Sequence, residues 1–398
     1  MRKLLCILLA LVLLCGCSAQ NDGRVTINVY NWGQYISEGD DGCIDVIAEF
    51  EKAYPNIRVN YVTFDSNETM YTKMAGGGIT VDVIIPSDYM VGRLAQEGML
   101  LPLDFENIPN AKFVDPRFQN PSYDPENKYS VPYSWGTVGI IYNTKYVDEA
   151  DVTGWEILWN ENSQGEQLDY AGKILMFDNS RDAFAIAQCR LGYSMNTTEE
   201  AELLECAKLL EQQRPVVQQY IMDQVFDLME NEEAWIAPYY AGDYLTMSGE
   251  NEDLAFYLPG DQGFNLFVDA MCIPTCCENK EAAETFINFL CDPEIAGGNM
   301  DWICYSTPIS AAKEYMELDE EMEAINYPSD EFLDQGTSYL PMPRETTRYV
   351  DSLFMRVRNG ISLEGQAGNQ VLVWAAVIAA VAAIAGVAFL LLKKRKKK

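Results

Sequence analysis

The sequence predicts an α/β protein of two domains built on a mainly parallel sheet, and three observations carry that expectation. From residue 25 onward, apolar runs of strand length alternate with stretches of helical periodicity. Between a leader at 1–16 and an apolar run at 371–392 lie about 350 residues, enough for two cores at roughly 150 residues each. No repeat or low-complexity linker divides that stretch, so the chain is expected to cross between the domains more than once.

Each element has its own signal. Residues 25–30 (VTINVY) alternate β-branched and polar side chains and read as a strand. Residues 44–54 set Ile47, Phe50 and Tyr54 at helical spacing, and Pro55 ends the run. A second strand is expected at 57–62 and a helix at 67–74 that Gly76, Gly77 and Gly78 stop. A buried strand at 81–85 (VDVII) ends at Pro86. Further strands are expected at 173–177 and 235–239, and an amphipathic helix at 280–290. The apolar run 130–142, which contains two glycines, is the candidate crossover strand, and 365–370 is a spacer.

The two ends point to an extracytoplasmic protein. Arg2 and Lys3 precede an apolar run that closes at Cys15-Gly16-Cys17, the layout of a secretory signal. The segment resembles a lipobox, which implies lipidation of Cys17 after cleavage of a 1–16 signal peptide. Residues 371–392 carry no charge and are long enough for a membrane span at about 1.5 Å per residue. The basic tail 393–398 then places that end in the cytoplasm and the rest of the chain outside.

Composition removes several function classes. Eight of the 28 bases and none of the 60 acids lie in the two ends, so the intervening chain carries a net charge of about −40. Such a surface repels phosphate backbones, and nucleic-acid binding is not expected. With no histidine in 398 residues, Ser-His-Asp and Cys-His sites and histidine zinc sites are excluded. Eleven cysteines include the adjacent pair Cys276-Cys277 but no C-x-x-C motif, so buried or partly disulfide-bonded cysteines are expected rather than a metal site, and no cofactor is implied.

Eight segments then occur in one order: YNWGQY (30–35), SNETMYTKM (66–74), VIIPSDYMV (83–91), VPYSWG (131–136), LGYSMNTT (191–198), VDAMCIP (268–274), NKEAAETFINFL (279–290) and YSTP (305–308). Together they resemble the spermidine/putrescine-binding proteins, extracellular solute receptors of polyamine ABC transporters. The resemblance implies a two-lobed, periplasmic-binding-protein-like type II fold with hinge strands that closes on its ligand. Lobe 1 would be 24–136 with 269–313, and lobe 2 would be 137–268 with 314–364. It also implies a polyamine ligand, ABC permease and ATPase partners, and no enzymatic activity.

The residues agree with that chemistry. A polyamine is an aliphatic chain bearing ammonium groups, which carboxylates and aromatic walls hold together. By resemblance the aromatic walls fall on Trp32, Tyr35, Tyr89, Tyr240, Phe267, Tyr305 and Tyr339. Tyr and Trp just after a strand's C-terminal end face the crevice of open α/β sheets, which favours Trp32, Tyr35 and Tyr89. Ser87 matches an amine-bonding position, and Asp269 and Asp182 match carboxylates that grip ammoniums. Gln34 and Asn179 stand where spermidine-type members carry acids, whereas Tyr240-Ala241-Gly242-Asp243 resembles a putrescine-type segment whose Asp holds an amine. The alternatives are a receptor of the same fold for a cationic amino acid, a sugar or ferric iron, and a surface hydrolase using paired carboxylates.

Overall fold

The computed structural model describes residues 23–363. In chain order its strands are β1 (Val25–Trp32), β2 (Ile57–Phe64), β3 (Val83–Ile84), β4 (Ser130–Asn143), β5 (Ile174–Phe177), β6 (Val217–Ile221), β7 (Ile236–Tyr240), β8 (Leu254–Tyr257), β9 (Phe264–Cys272) and β10 (Gly336–Thr337). The leader 1–16, Cys17, the spacer 365–370, the apolar run 371–392 and the tail 393–398 lie outside the described residues. Among the described residues no helix is long and apolar enough to cross a membrane.

The chain divides into two compact units. Unit 1 comprises 23–139, Tyr239–Glu252 and Gly263–Pro341; unit 2 comprises Ile140–Pro238, Asp253–Gln262 and 342–363. These bounds differ from the expected lobes, which placed 137–139, 239–252, 263–268 and 314–341 on the other side. Those stretches fold with unit 1 for physical reasons. The helix Ala241–Glu250 packs on Pro293–Ile303 and Glu320–Asn326, and Tyr244 donates a hydrogen bond to Glu321 at 2.7 Å. The first half of β9 pairs with β10 through Phe264 and Asn265, and with β4 through Leu266 and Phe267.

In unit 1 the strand order is β2-β1-β3-β9-β4. β1 lies parallel to β2 along its whole length, from Val25 opposite Ile57 to Trp32 opposite Phe64, and parallel to β3. β9 runs antiparallel to both of its neighbours. The sheet is therefore mixed rather than mainly parallel, because the chain re-enters unit 1 in the reverse direction after its passage through unit 2. The strand expected at 81–85 is regular only over Val83–Ile84, although Asp82 N and Ile85 N still donate to the carbonyls of Asn28 and Tyr30 at 2.8 and 3.1 Å.

Helices cover this sheet, and two of them start at a side-chain cap. The Asp45 carboxylate accepts from Ala48 N at 2.8 Å at the start of Val46–Ala53, and Ser66 caps Asn67–Ala75. Phe50 meets Phe286 edge-on, with ring centroids 5.0 Å apart. Phe286 belongs to Lys280–Leu290, whose bounds are those its apolar periodicity predicts. In unit 2, the fully buried β5 lies parallel to β6 and β7, and β8 pairs antiparallel with the end of β4. The helices Ser180–Leu191, Glu200–Gln213 and Arg344–Arg358 pack together in unit 2. The last of them buries Val350, Leu353, Phe354 and Val357, and its Arg358 pairs with Asp178 at 2.7 Å.

Candidate functional site

Unit 1 assembles most of the candidate residues around one carboxylate. Asp269 sits in β9 and is only 5% exposed. Tyr35, three residues past the end of β1, donates its phenolic O–H to Asp269 Oδ2 at 2.7 Å and also meets Ser134 Oγ. Burial, and then the Asp269 charge, push the Tyr35 phenol well above its ordinary range, so it stays protonated and serves as a neutral donor.

Aromatic rings continue outward from Tyr35. Its ring meets Tyr305 edge-on at 5.1 Å, Tyr305 lies 6.1 Å from Phe267, and Phe267 meets Tyr240 edge-on at 5.4 Å. Two glycines make this row possible. A Cβ at Gly136 would lie 2.8 Å from the Phe267 ring, and one at Gly242 would lie 2.3 Å from the Tyr305 ring. The Tyr305 phenol hydrogen-bonds the Asp243 carboxylate, and burial first and that charge second raise its pKa well above the ordinary value.

A second group adjoins Asp269 through an isolated antiparallel bridge between Ser87 and Asp269. Asn67 donates to Ser87 Oγ at 3.2 Å and to the Tyr89 hydroxyl at 3.0 Å, and that hydroxyl donates to Glu68 at 3.0 Å. Tyr339 is buried with its ring edge-on to Tyr89 at 6.0 Å. Trp32 is half-buried against Phe64, with centroids 4.6 Å apart. Gln34 is exposed and adopts a left-handed backbone at φ 50°, so it shares the turn with Tyr35 but not its burial.

The two remaining candidates belong to unit 2. Asn179 is the N-cap of Ser180–Leu191, its side-chain oxygen accepting from Arg181 N at 2.8 Å and from Asp182 N at 3.4 Å. Asp182 lies in that helix's first turn and is 5% exposed, where the aligned N–H groups favour a carboxylate.

Several structural participants carry no warning in the sequence pattern. Tyr133 donates to the Tyr35 carbonyl at 2.5 Å and receives a hydrogen bond from Asn299 at 2.8 Å. Asn31 donates to the same Tyr35 carbonyl at 3.2 Å, and Asn299 also accepts from Ser37 N at 2.9 Å. The segment VPYSWG contains Tyr133 and Ser134, but alternation along a strand would send those two side chains to opposite faces. Among the described residues no group of three or more Cys, Asp and Glu side chains is arranged to hold a metal ion. What unit 1 offers is a buried acceptor oriented by a hydroxyl and joined through it to a row of aromatic rings, suited to a cationic head group with an apolar body.

Comparison with known proteins finds the family model for bacterial extracellular solute-binding proteins matching residues 45–324. The Escherichia coli K12 spermidine/putrescine-binding periplasmic protein is 31% identical over 320 residues, covering 80% of this chain and 88% of the other. The putrescine-binding periplasmic protein PotF of the same organism is 29% identical over 320 residues, covering 77% and 84%. Among solved structures, the spermidine/putrescine ABC transporter substrate-binding protein PotD of Streptococcus pneumoniae is 34% identical. It covers 85% of this chain and all of that one, with a TM-score of 0.70.

Proposed function

This chain belongs to the bacterial extracellular solute-binding proteins, and on that premise we propose that it captures a di- or polyamine outside the cell for import by an ABC transporter. The observation that carries the reading is the Asp269 carboxylate of unit 1, buried and oriented by Tyr35, whose ring begins a row that continues through Tyr305, Phe267 and Tyr240. A carboxylate placed in such surroundings favours a ligand ammonium that supplies the opposite charge, while the ring faces accept methylenes and add cation–π attraction. In this reading Asp269 takes one ammonium and Asp243 another, and Asp182 is a further candidate carboxylate by the resemblance. Ser87 bonds an amine, Trp32, Tyr89 and Tyr339 supply further walls, and Gln34 and Asn179 keep polar but uncharged places.

The leader and the apolar run at 371–392 support a location at the outer face of the membrane, with Cys17 lipidated, 371–392 spanning the bilayer and the acidic chain outside. Calorimetric titration with putrescine, spermidine, arginine and a neutral sugar tests the ligand class. Saturable binding at one equivalent by the amines alone supports the reading, whereas binding of arginine or the sugar in preference to both amines overturns it.

A further inference from the structure

The pairing of β4 with β9 contains an irregularity at the centre of the site. Pro132 lies opposite Ala270 and Ser134 opposite Asp269, so Tyr133 is an extra residue with no counterpart on β9. In a regular strand neighbouring side chains point to opposite faces, whereas a bulge re-aims them. Here both neighbours end on one residue. The Tyr133 hydroxyl donates to the Tyr35 carbonyl, and Ser134 Oγ meets the Tyr35 hydroxyl.

Counting protons gives this arrangement a direction. A carboxylate offers acceptors only, and a phenol has a single proton to donate. Tyr35 donates that proton to Asp269 Oδ2, so its bond with Ser134 must run the other way, with Ser134 as donor. The chain of donation is therefore Ser134 to Tyr35 to Asp269, and all three residues are buried. Asn299 completes the clamp, because its side-chain nitrogen donates to the Tyr133 oxygen and leaves the Tyr133 proton for the Tyr35 carbonyl.

We propose that Ser134 is a positioning residue of the amine site, acting through Tyr35 to fix the pose of the Asp269 carboxylate, and that the bulge at Tyr133 exists to aim it. The inference rests on the amine-binding reading above. A serine that merely filled space on β4 would leave ligand affinity alone when trimmed, and its effect would not depend on the Tyr35 hydroxyl.

The test is a double-mutant cycle on the full chain, titrated with putrescine by calorimetry and checked by thermal melting. Ser134→Ala is expected to weaken binding about two- to tenfold, the range of one neutral hydrogen bond. Tyr35→Phe is expected to weaken it more, about tenfold or beyond, because it removes a hydrogen bond to a charged group. The double variant should bind no more weakly than Tyr35→Phe alone. Should Ser134→Ala fail to fold, Ser134→Cys carries the same expectation with a smaller loss. Wild-type affinity in the Ser134 variant, or losses that multiply in the double variant, overturns the proposal while wild-type protein still binds putrescine. Wild-type protein that binds no amine overturns the functional reading and this proposal with it.

Discussion

The two units hold their candidate carboxylates by different means. Asp269 of unit 1 is oriented by Tyr35, which is itself gripped from β4 by Tyr133, and Asn299 of the helix Pro293–Ile303 holds Tyr133 in turn, so stretches far apart in the chain must all be in place. Asp182 of unit 2 stands in the first turn of a helix that its neighbour Asn179 caps. The first carboxylate is oriented by residues far apart in the chain, whereas the second sits at a helix start that an adjacent residue caps. Distant substitutions should therefore disturb the first more than the second.

Removing each charge is the sharpest way to break that contrast. Asp269→Asn should cost roughly 2–5 kcal/mol of amine affinity, because the ligand ammonium loses its charged partner in a desolvated place. Asp182→Asn should cost less, about 1–3 kcal/mol, since the helix N-terminus already balances part of that charge. Equal losses by calorimetry would show that the two carboxylates are held alike.

A gain of charge sharpens the comparison from the other side. Asn and Asp cap helices about equally well, so Asn179→Asp should leave the melting temperature unchanged while restoring a negative charge in unit 2. The wild-type protein is expected to bind putrescine at least as tightly as spermidine, because Gln34 and Asn179 are uncharged. The variant should move the ratio of the two dissociation constants toward spermidine by about 1 kcal/mol, or roughly fivefold. Wild-type protein favouring spermidine more than about tenfold would contradict the charge count.

The smallest effect lies away from the site. The Ser310 hydroxyl donates to Asp115 at 2.6 Å, and this bond first and the Arg117 backbone N–H second hold the Asp115 carboxyl below its ordinary range. A folded-state pKa below the unfolded one means stability that is present above the ordinary carboxylate range and lost as pH falls through the folded value. Asp115→Ala should therefore lower stability near neutral pH by less than about 1 kcal/mol after solvent screening. Melting curves of the two proteins should begin to draw together at about pH 4 and converge only below the depressed folded-state value.

Much of the local structure was legible in the sequence, and the reasons are local. Lys280–Leu290 was readable because its apolar period and its burial coincide, and β1 and β2 because they alternate. The placement of β9 between β3 and β4 was not, since no residue in its neighbourhood records which strands it will join. The candidate site divides the same way. Resemblance named Tyr35, Phe267, Asp269 and Tyr305, and the fold brings them together in unit 1. Ser134, Tyr133 and Asn299 are not legible because their role is created by a bulge and a packed helix, and Gln34, a candidate by resemblance, is left exposed by its turn.

The seat of β9 also bears on how the chain acquires its structure. β3 ends at Ile84 and β4 begins at Ser130, yet the strand that joins them does not start until Phe264. A chain threaded outward from its N-terminus thus presents two unpaired strand edges for most of its passage, and the residues that complete them arrive late. Closing so long a loop slows folding far more than it lowers final stability. Nascent unit 1 therefore keeps those edges open until residues 264–272 are present, and Asp269, carried on the closing strand, enters its network only when the sheet itself is finished.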